Sequence, residues 1–369
     1  VKYPNQVRLY RLKVGISRDV LAKKVGITVQ SIGLIEAGKV SPSTLVALRI
    51  ARVLAQTVEN LFSNLAQTVH AQLVRTAADT PAIKRDQRAF ISTLSGQAIA
   101  RPAQVADVST LLAPANGLVV ATSGATGESE FQLLEPNPAL EKTVFISGCD
   151  IGLGLLASHL RQTTALYQGV WFNASNAKAL QELQAGTTHV AAIHASHPIE
   201  ARRDSLQLPD YHTYVFAEAE MGWMVKRGNP CGFRNAGNLA DSRIKVINRG
   251  PGSGARTMVD QEIAKYAVAP TDVVGYGTVA RGHMAVADAV AQGYADVGVG
   301  HASAAALYGL DFIPVQREIC TLFIPTDYLQ SEAIQVLLTS LHSNHFRREL
   351  HAYGPYDIAK TGNRIGSTP

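Results

Sequence analysis

Leu21-Ala22-Lys23-Lys24-Val25-Gly26-Ile27-Thr28-Val29-Gln30-Ser31-Ile32-Gly33-Leu34-Ile35-Glu36-Ala37-Gly38-Lys39 decides how the first part of this chain folds. Val20, Leu21, Ala22 and Val25 share one helical face, and Val29, Ile32 and Ile35 recur at helical spacing after a break. Ser17 and Thr28 stand where N-caps belong, and Gly26 can take the left-handed conformation that ends a helix. Ala22 is small where two helices must cross, while Ile32 and Ile35 anchor the second to a core. Working outward, Asn5 to Val14 carries an imperfect helical stripe, Pro42-Ser43-Thr44 opens a helix over Leu45 to Leu54, and Val58 to Phe62 supplies a fifth. The reading is a compact all-α bundle over residues 1–63.

Thr28, Gln30 and Ser31 are expected to point outward from the N-terminal half of the second helix of this pair. Glutamine can pair bidentately with adenine in the major groove, and Thr28 with nearby backbone amides can hold phosphate. Over residues 5–63, including Pro42-Ser43 and Leu61-Phe62, the stretch resembles the lambda-repressor/Cro-like (XRE) helix-turn-helix family. The resemblance implies a double-stranded DNA operator as partner, with Arg18 clamping phosphate, Lys39 touching the backbone, and Gln30 and Ser31 reading bases. Val29, Gly33 and Leu34 stand where many relatives carry polar or basic residues, so base readout would rest on few contacts. Glu36 is expected to be a polar partner within the bundle.

Residues 64–143 read as a linker helix and a small β-rich connector, with strands at Phe90 to Leu94, Gly117 to Thr122 and Ser129 to Leu134. From 144 to 369 strands and helices alternate. Val144 to Ser147, Gly169 to Phe172, His189 to Ile193, Ile244 to Asn248 and Ala295 to Val299 are buried strands that lead into glycine- or serine-marked corners and helices. Two such sets predict parallel sheets in two α/β lobes facing one cleft, the first over about 144–218 and 317–369, the second over about 222–315.

Asn248-Arg249-Gly250-Pro251-Gly252-Ser253-Gly254-Ala255-Arg256 sits between a strand and a helix. Glycines there let N–H groups approach an anion, the helix start adds partial positive charge, Ser253 and Gly254 offer donors, and Arg256 adds a guanidinium. The loop lacks the Lys-Ser/Thr of a nucleotide P-loop. Cys149, Asp150, Ser175 and Asn176 occupy the equivalent corners of the first lobe. With Gly275-Tyr276, Gly282-His283-Met284-Ala285, Gly293-Tyr294-Ala295-Asp296 and Gly309-Leu310-Asp311, the region over about 144–345 resembles the periplasmic-molybdate-binding-protein-like domain of DNA-binding regulators. That resemblance implies a type II periplasmic-binding-protein fold and a molybdate, tungstate or related molybdenum-containing effector. The candidate effector-binding residues are Cys149, Asp150, Ser175, Asn176, Ser253, Gly254, Arg256 and His283. An ionised Asp150 facing the cleft would repel a dianion, so either its side chain turns outward as a helix cap, the commoner role and the one expected, or the ligand carries a donor or cationic group. His194 reads as a satisfied core histidine. His197 and His301 have no partner spacing, and no metal group is expected from the eleven histidines.

Hydrophobic residues make up 46% and charged residues 17%, a globular composition. No stretch reaches the roughly 18 apolar residues of a membrane span, and three scattered cysteines fit no disulfide framework, so the expected compartment is the cytoplasm. No catalytic residue is assigned, because no Ser/His/Asp order, paired acids or nucleophile elbow stands at the cleft corners. The leading expectation is a cytoplasmic regulator that binds operator DNA as a homodimer or higher oligomer and senses a small anion, with no cofactor and no membrane partner. The alternatives are a small organic effector, or a ligand-independent DNA-binding protein that uses its second domain for assembly. Charge supports the division: residues 1–63 hold 10 Lys/Arg against 3 Asp/Glu, whereas the remainder holds 24 against 26.

Overall fold

The computed structural model describes residues 5–62, 68–74, 83–104, 108–122, 127–134, 139–163, 166–196 and 210–367. The chain divides into two units, one of residues 1–71, 81–89 and 115–138 and one of residues 72–80, 90–114 and 139–369.

The first unit opens with α1 (Val7–Lys13), α2 (Arg18–Val25), α3 (Val29–Glu36), α4 (Thr44–Val53) and α5 (Val58–Phe62). The expected caps are in place: the Ser17 hydroxyl accepts from Val20 N, Thr28 from Ser31 N and Ser43 from Val46 N. Gly26 has φ +79° at the end of α2, where a side chain would be strained. Val7, Leu21, Ala22, Val25, Ile32, Ile35, Ile50, Leu54 and Leu61 form one buried core, so each helix owes its place to an apolar stripe and not to length.

Between the bundle and the α/β region run β1 (Thr68–Leu73), β2 (Arg88–Leu94), β3 (Gln97–Pro102), the short α6 (Val108–Leu111), β4 (Gly117–Thr122) and β5 (Glu128–Leu133). Within the segment expected to hold a linker helix and a β-rich connector, residues 68–73 form a strand. The alternation of exposed and buried residues at the end of that segment suits a half-buried strand better than a helix face. In the first unit β4 pairs antiparallel with β5 and with Arg88 and Ala89 of β2; in the second, Gln72 and Leu73 pair parallel with Ile99 and Ala100 of β3.

The second unit continues with β6 (Thr143–Gly148), α7 (Gly152–Thr163), β7 (Gln168–Asn173), α8 (Asn176–Gln184), β8 (Val190–Ala195) and β9 (Tyr211–Val225). It then runs through β10 (Val246–Arg249), α9 (Gly254–Lys265), β11 (Val279–Ala280), α10 (Gly282–Gln292), β12 (Val297–His301) and α11 (Ala302–Leu307). β13 (Asp311–Pro325), α12 (Glu332–His342), α13 (Asn344–Tyr353) and β14 (Arg364–Ser367) complete it. The strand order is β11-β10-β12-β9-β13-β8-β6-β7, with β14 on β9. Parallel pairs lie at both ends, as expected, but the centre differs from the expectation of separate parallel sheets. β9 and β13, each 15 residues long, pair antiparallel from Asp311↔Val225 to Pro325↔Tyr211 and run through both lobes. Their register shifts between Pro314 and Gln316, a bulge that bends a strand where the lobes meet. The first lobe packs Ile146, Leu156, Phe216, Leu322, Leu337 and Phe346 into one core, and the second packs Trp223, Phe233, Val246, Val259 and Val299 into another. No helix among the described residues is long and apolar enough to cross a membrane.

Candidate functional site

In the helical bundle, Thr28 and Gln30 on the first turn of α3 and Lys39 after it are exposed, and Ser31 is half-buried. The Thr28 and Ser31 hydroxyls lie 2.8 Å apart, so each is oriented by the other. Arg18 is half exposed and its Nε donates to Glu36 Oε2 at 2.6 Å, while Arg11 donates to the other oxygen at 2.5 Å. Glu36 is thus the internal partner that the sequence predicts, a buried carboxylate tying α1, α2 and α3 together. Burial alone would raise its pKa, but the two guanidiniums hold it below the usual carboxylate value.

The second candidate site lies where the parallel strands of both lobes end. Gly148 of β6 leads into Cys149 and Asp150, β8 ends beside His194, β10 ends at Arg249 and β12 at His301. Strand ends of this kind are the usual crevice of open α/β sheets, because glycine-rich corners leave side chains and amides facing a common space. Asp150 is 2% exposed; its Oδ1 accepts from Gly152 N and from the Tyr356 hydroxyl, both at 2.7 Å. Its Oδ2 faces His194 Nε2 at 3.3 Å. The expected outward turn is therefore corrected: Asp150 caps α7 with one oxygen and directs the other inward. The ring centroids of His194 and His301 are 4.2 Å apart and those of His301 and His283 are 4.3 Å apart. Glu318 Oε2 stands 3.7 Å from His194 Nδ1 and 3.6 Å from His301 Nε2.

Eight of the eleven buried side-chain nitrogen and oxygen atoms without a hydrogen-bond partner among the described residues belong to this cluster. They are Asp150 Oδ2, both ring nitrogens of His194 and of His301, His283 Nδ1, Arg249 Nη1 and Glu318 Oε2. Buried polar atoms are normally paired, so such a concentration makes this cluster the candidate binding site of the second unit. His194 is buried but not the satisfied core residue that its sequence context implies.

Charge within the cluster is strongly organised. Burial opposes the charge on Asp150 and His194, yet their mutual contact outweighs it, holding the carboxyl below and the imidazole above its ordinary value. At His301 burial and the charge of His194 outweigh the opposing charge of Asp150 and push the imidazole down to about 3, and His283 is also held neutral. Burial pushes the Cys149 thiol up to about 12, which makes it an unreactive thiol at neutral pH.

Of the other candidates, only Asn176 touches the cluster directly among the described residues. Ser175 caps α8 by accepting from Lys178 N. Asn176 clasps the backbone of His194, donating to its carbonyl at 2.7 Å and accepting from its N–H at 3.1 Å. Ser253 caps α9 and donates to Gly250 O at 2.9 Å, and Gly254 is exposed beside it. Arg256 is engaged along its own helix, donating to Asp260 at 3.0 Å with its guanidinium 4.0 Å from the Tyr276 ring centre. Sequence reasoning passed over Arg249, Glu318 and Tyr356. Arg249 carried a signal, since it ends a buried strand at the glycine-rich loop; Glu318 and Tyr356 carried none, because only the fold brings them here. His197 lies outside the described residues.

The family model of a PBP superfamily domain matches residues 157–342, half of the chain. The chain belongs to the PBP superfamily. Its PBP domain is preceded by a helix-turn-helix domain, matched over residues 7–59 by the model of that name. Among curated proteins, YvgK of Bacillus subtilis is 28% identical over 258 residues, covering 66% of this chain and 80% of YvgK. An HTH-type transcriptional regulator of Archaeoglobus fulgidus is 42% identical over 57 residues, which cover 15% of this chain and 81% of that protein. Among solved structures, an ABC-type phosphate transport receptor from Vibrio cholerae aligns at a TM-score of 0.41 and 16% identity, over 58% of this chain and 99% of that one. The PBP domain and the DNA-binding helices thus occupy one polypeptide.

Proposed function

We propose that this chain is a cytoplasmic, ligand-responsive transcription regulator whose effector occupies the polar cluster of the PBP domain. The effector is a small oxyanion such as molybdate or tungstate, or a related molybdenum compound. The observation that carries the reading is the set of unpartnered, buried polar atoms contributed by both lobes. Arg249 Nη1 and the ring N–H groups are the donors available to an anion. Asp150 does not oppose an anion with a bare charge, because His194 stands against it at 3.3 Å. Thr28, Gln30, Ser31 and Lys39 would meet the operator, and Arg18 would reach phosphate from its ion pair with Glu36. Helix-turn-helix domains of this size read two half-sites, so the working unit is at least a homodimer. The effector would act by closing the lobes and changing how two DNA-binding domains are presented, with a coupling of about 1–3 kcal/mol, or roughly 5- to 150-fold in DNA affinity.

Thermal melting of the full chain with molybdate, tungstate, sulfate or phosphate tests the effector class. DNA affinity would be measured in parallel on duplexes selected by the protein from a random library. A melting shift with at least one anion and an altered DNA affinity is expected. No shift with any anion defeats the oxyanion reading, and a shift with unchanged DNA affinity defeats the switch.

A further inference from the structure

The geometry points to a divalent transition-metal site in the cleft, with Asp150 and His194 of the first lobe and His301 of the second as ligands and Glu318 behind them. The inference goes beyond the proposed function and holds whichever effector the cleft takes. Asp150, His194 and His301 each present one ligating atom, and the three atoms lie within 4.8 Å of one another. Asp150 Oδ2 and His194 Nε2 are already 3.3 Å apart, about the edge of a tetrahedron whose metal–ligand bonds are about 2.0–2.1 Å.

These residues are 2%, 6% and 3% exposed, and neither Asp150 Oδ2 nor any of the four ring nitrogens of His194 and His301 has a hydrogen-bond partner. Imidazole with carboxylate is a donor set for Zn²⁺ and its neighbours, whereas Mg²⁺ and Ca²⁺ take oxygen ligands. Glu318 has the place of the carboxylate that commonly accepts the second N–H of a ligating histidine, lying 3.7 Å from His194 Nδ1. The first-lobe ligands are also held in position. Asn176 clasps the His194 backbone, and the Tyr356 hydroxyl occupies the other oxygen of Asp150. Since His301 comes from the opposite lobe, a cation that draws the three atoms to tetrahedral separation also draws the lobes together. The cation further offsets the two carboxylates, so that an anion beside Arg249 would meet a positive site.

Equilibrium dialysis of the full chain against Zn²⁺, with Co²⁺ absorption as the spectroscopic readout, tests the site. One equivalent with tetrahedral Co²⁺ bands is expected. His194→Ala and His301→Gln should each weaken binding at least tenfold, and Glu318→Gln by about 10–100-fold, with each apo variant's fold checked by circular dichroism. A second His/Glu group, His159, His345 and Glu349, lies elsewhere on the first lobe, so His345→Ala serves as the control and should retain the equivalent. No bound metal, binding unchanged in both His194→Ala and His301→Gln, or binding lost only in His345→Ala overturns the proposal. DNA affinity measured with Zn²⁺ alone and with the anions alone separates the two readings, because metal binding without any effect on DNA leaves the metal site standing and the anion switch to be decided by the anions.

Discussion

Arg101 and Glu182 form a two-bonded ion pair inside the second unit: Nη1 donates to Oε2 at 2.9 Å and Nη2 to Oε1 at 3.0 Å, with the side chains 6% and 3% exposed. The Ser147 hydroxyl donates to the same carboxylate at 2.5 Å, and the guanidinium lies 3.6 Å from the Phe172 ring centre. A connector strand is thereby fixed to β6, β7 and α8 of the first lobe of the PBP domain. Buried pairs of this kind specify a position more than they stabilise it.

Arg101→Ala should destabilise the second unit by about 3–5 kcal/mol, because it leaves Glu182 as a buried charge without its main partner. Arg101→Met combined with Glu182→Leu should recover much of that loss. Urea unfolding of the three proteins measures both, and equal losses in the single and double variants would contradict the account.

Gly222 sits on β9 opposite the bulge of β13, and a Cβ there would come 2.2 Å from Ile313 O, a backbone atom that cannot step aside. Gly222→Ala should cost about 2–4 kcal/mol. Thermal melting measures that loss, and Gly33→Ala, where a Cβ meets nothing within 4 Å, should melt no lower than the natural protein.

His189 accepts from Phe145 N at 3.0 Å and is buried, which pushes its pKa down to about 4 from an ordinary value of 6.5. Between those values the unfolded chain binds the proton and the folded chain does not. The stabilising contribution is therefore full above about pH 6.5 and is lost as the pH falls toward 4. Relative to His189→Asn, which keeps an acceptor and does not titrate, the natural protein should lose on the order of 3 kcal/mol over that window. Parallel pH profiles of unfolding free energy would refute the assignment.

Gln30→Ala should weaken DNA binding while leaving any anion-induced melting shift intact, and Arg249→Ala should do the reverse. Arg256→Ala discriminates the two guanidiniums near the glycine-rich loop. With its partners Asp260 and Tyr276, its loss should lower stability by about 1 kcal/mol and leave most of the shift. Loss of the whole shift in Arg256→Ala, with none in Arg249→Ala, would return the anion site to Arg256.

The helical bundle was legible in the sequence because its instructions are local. Ser17 caps Val20, Thr28 caps Ser31, and Val29, Ile32 and Ile35 repeat within one helix, so each feature is set by residues three or four apart. The alternating strands and helices of the PBP domain were legible for the same reason, as was the position of their glycine-marked corners. β1, β3 and the long β9–β13 pair were not, since a strand's partner is chosen by non-local packing and not by its own pattern. The cleft chemistry followed those pairings. His194 and His301 are isolated histidines in the chain, and Glu318 and Tyr356 have no local signal. β9 and β13 carry the chain back and forth between the lobes, and only that crossing sets Asp150 Oδ2 3.3 Å from His194 Nε2 and brings the His301 ring edge-on to that of His194. Local sequence set the caps, the helical stripes and the glycine-marked corners. Tertiary structure decided which charges meet, because burial without a partner, the property that marks the site, exists only once distant strands are packed together.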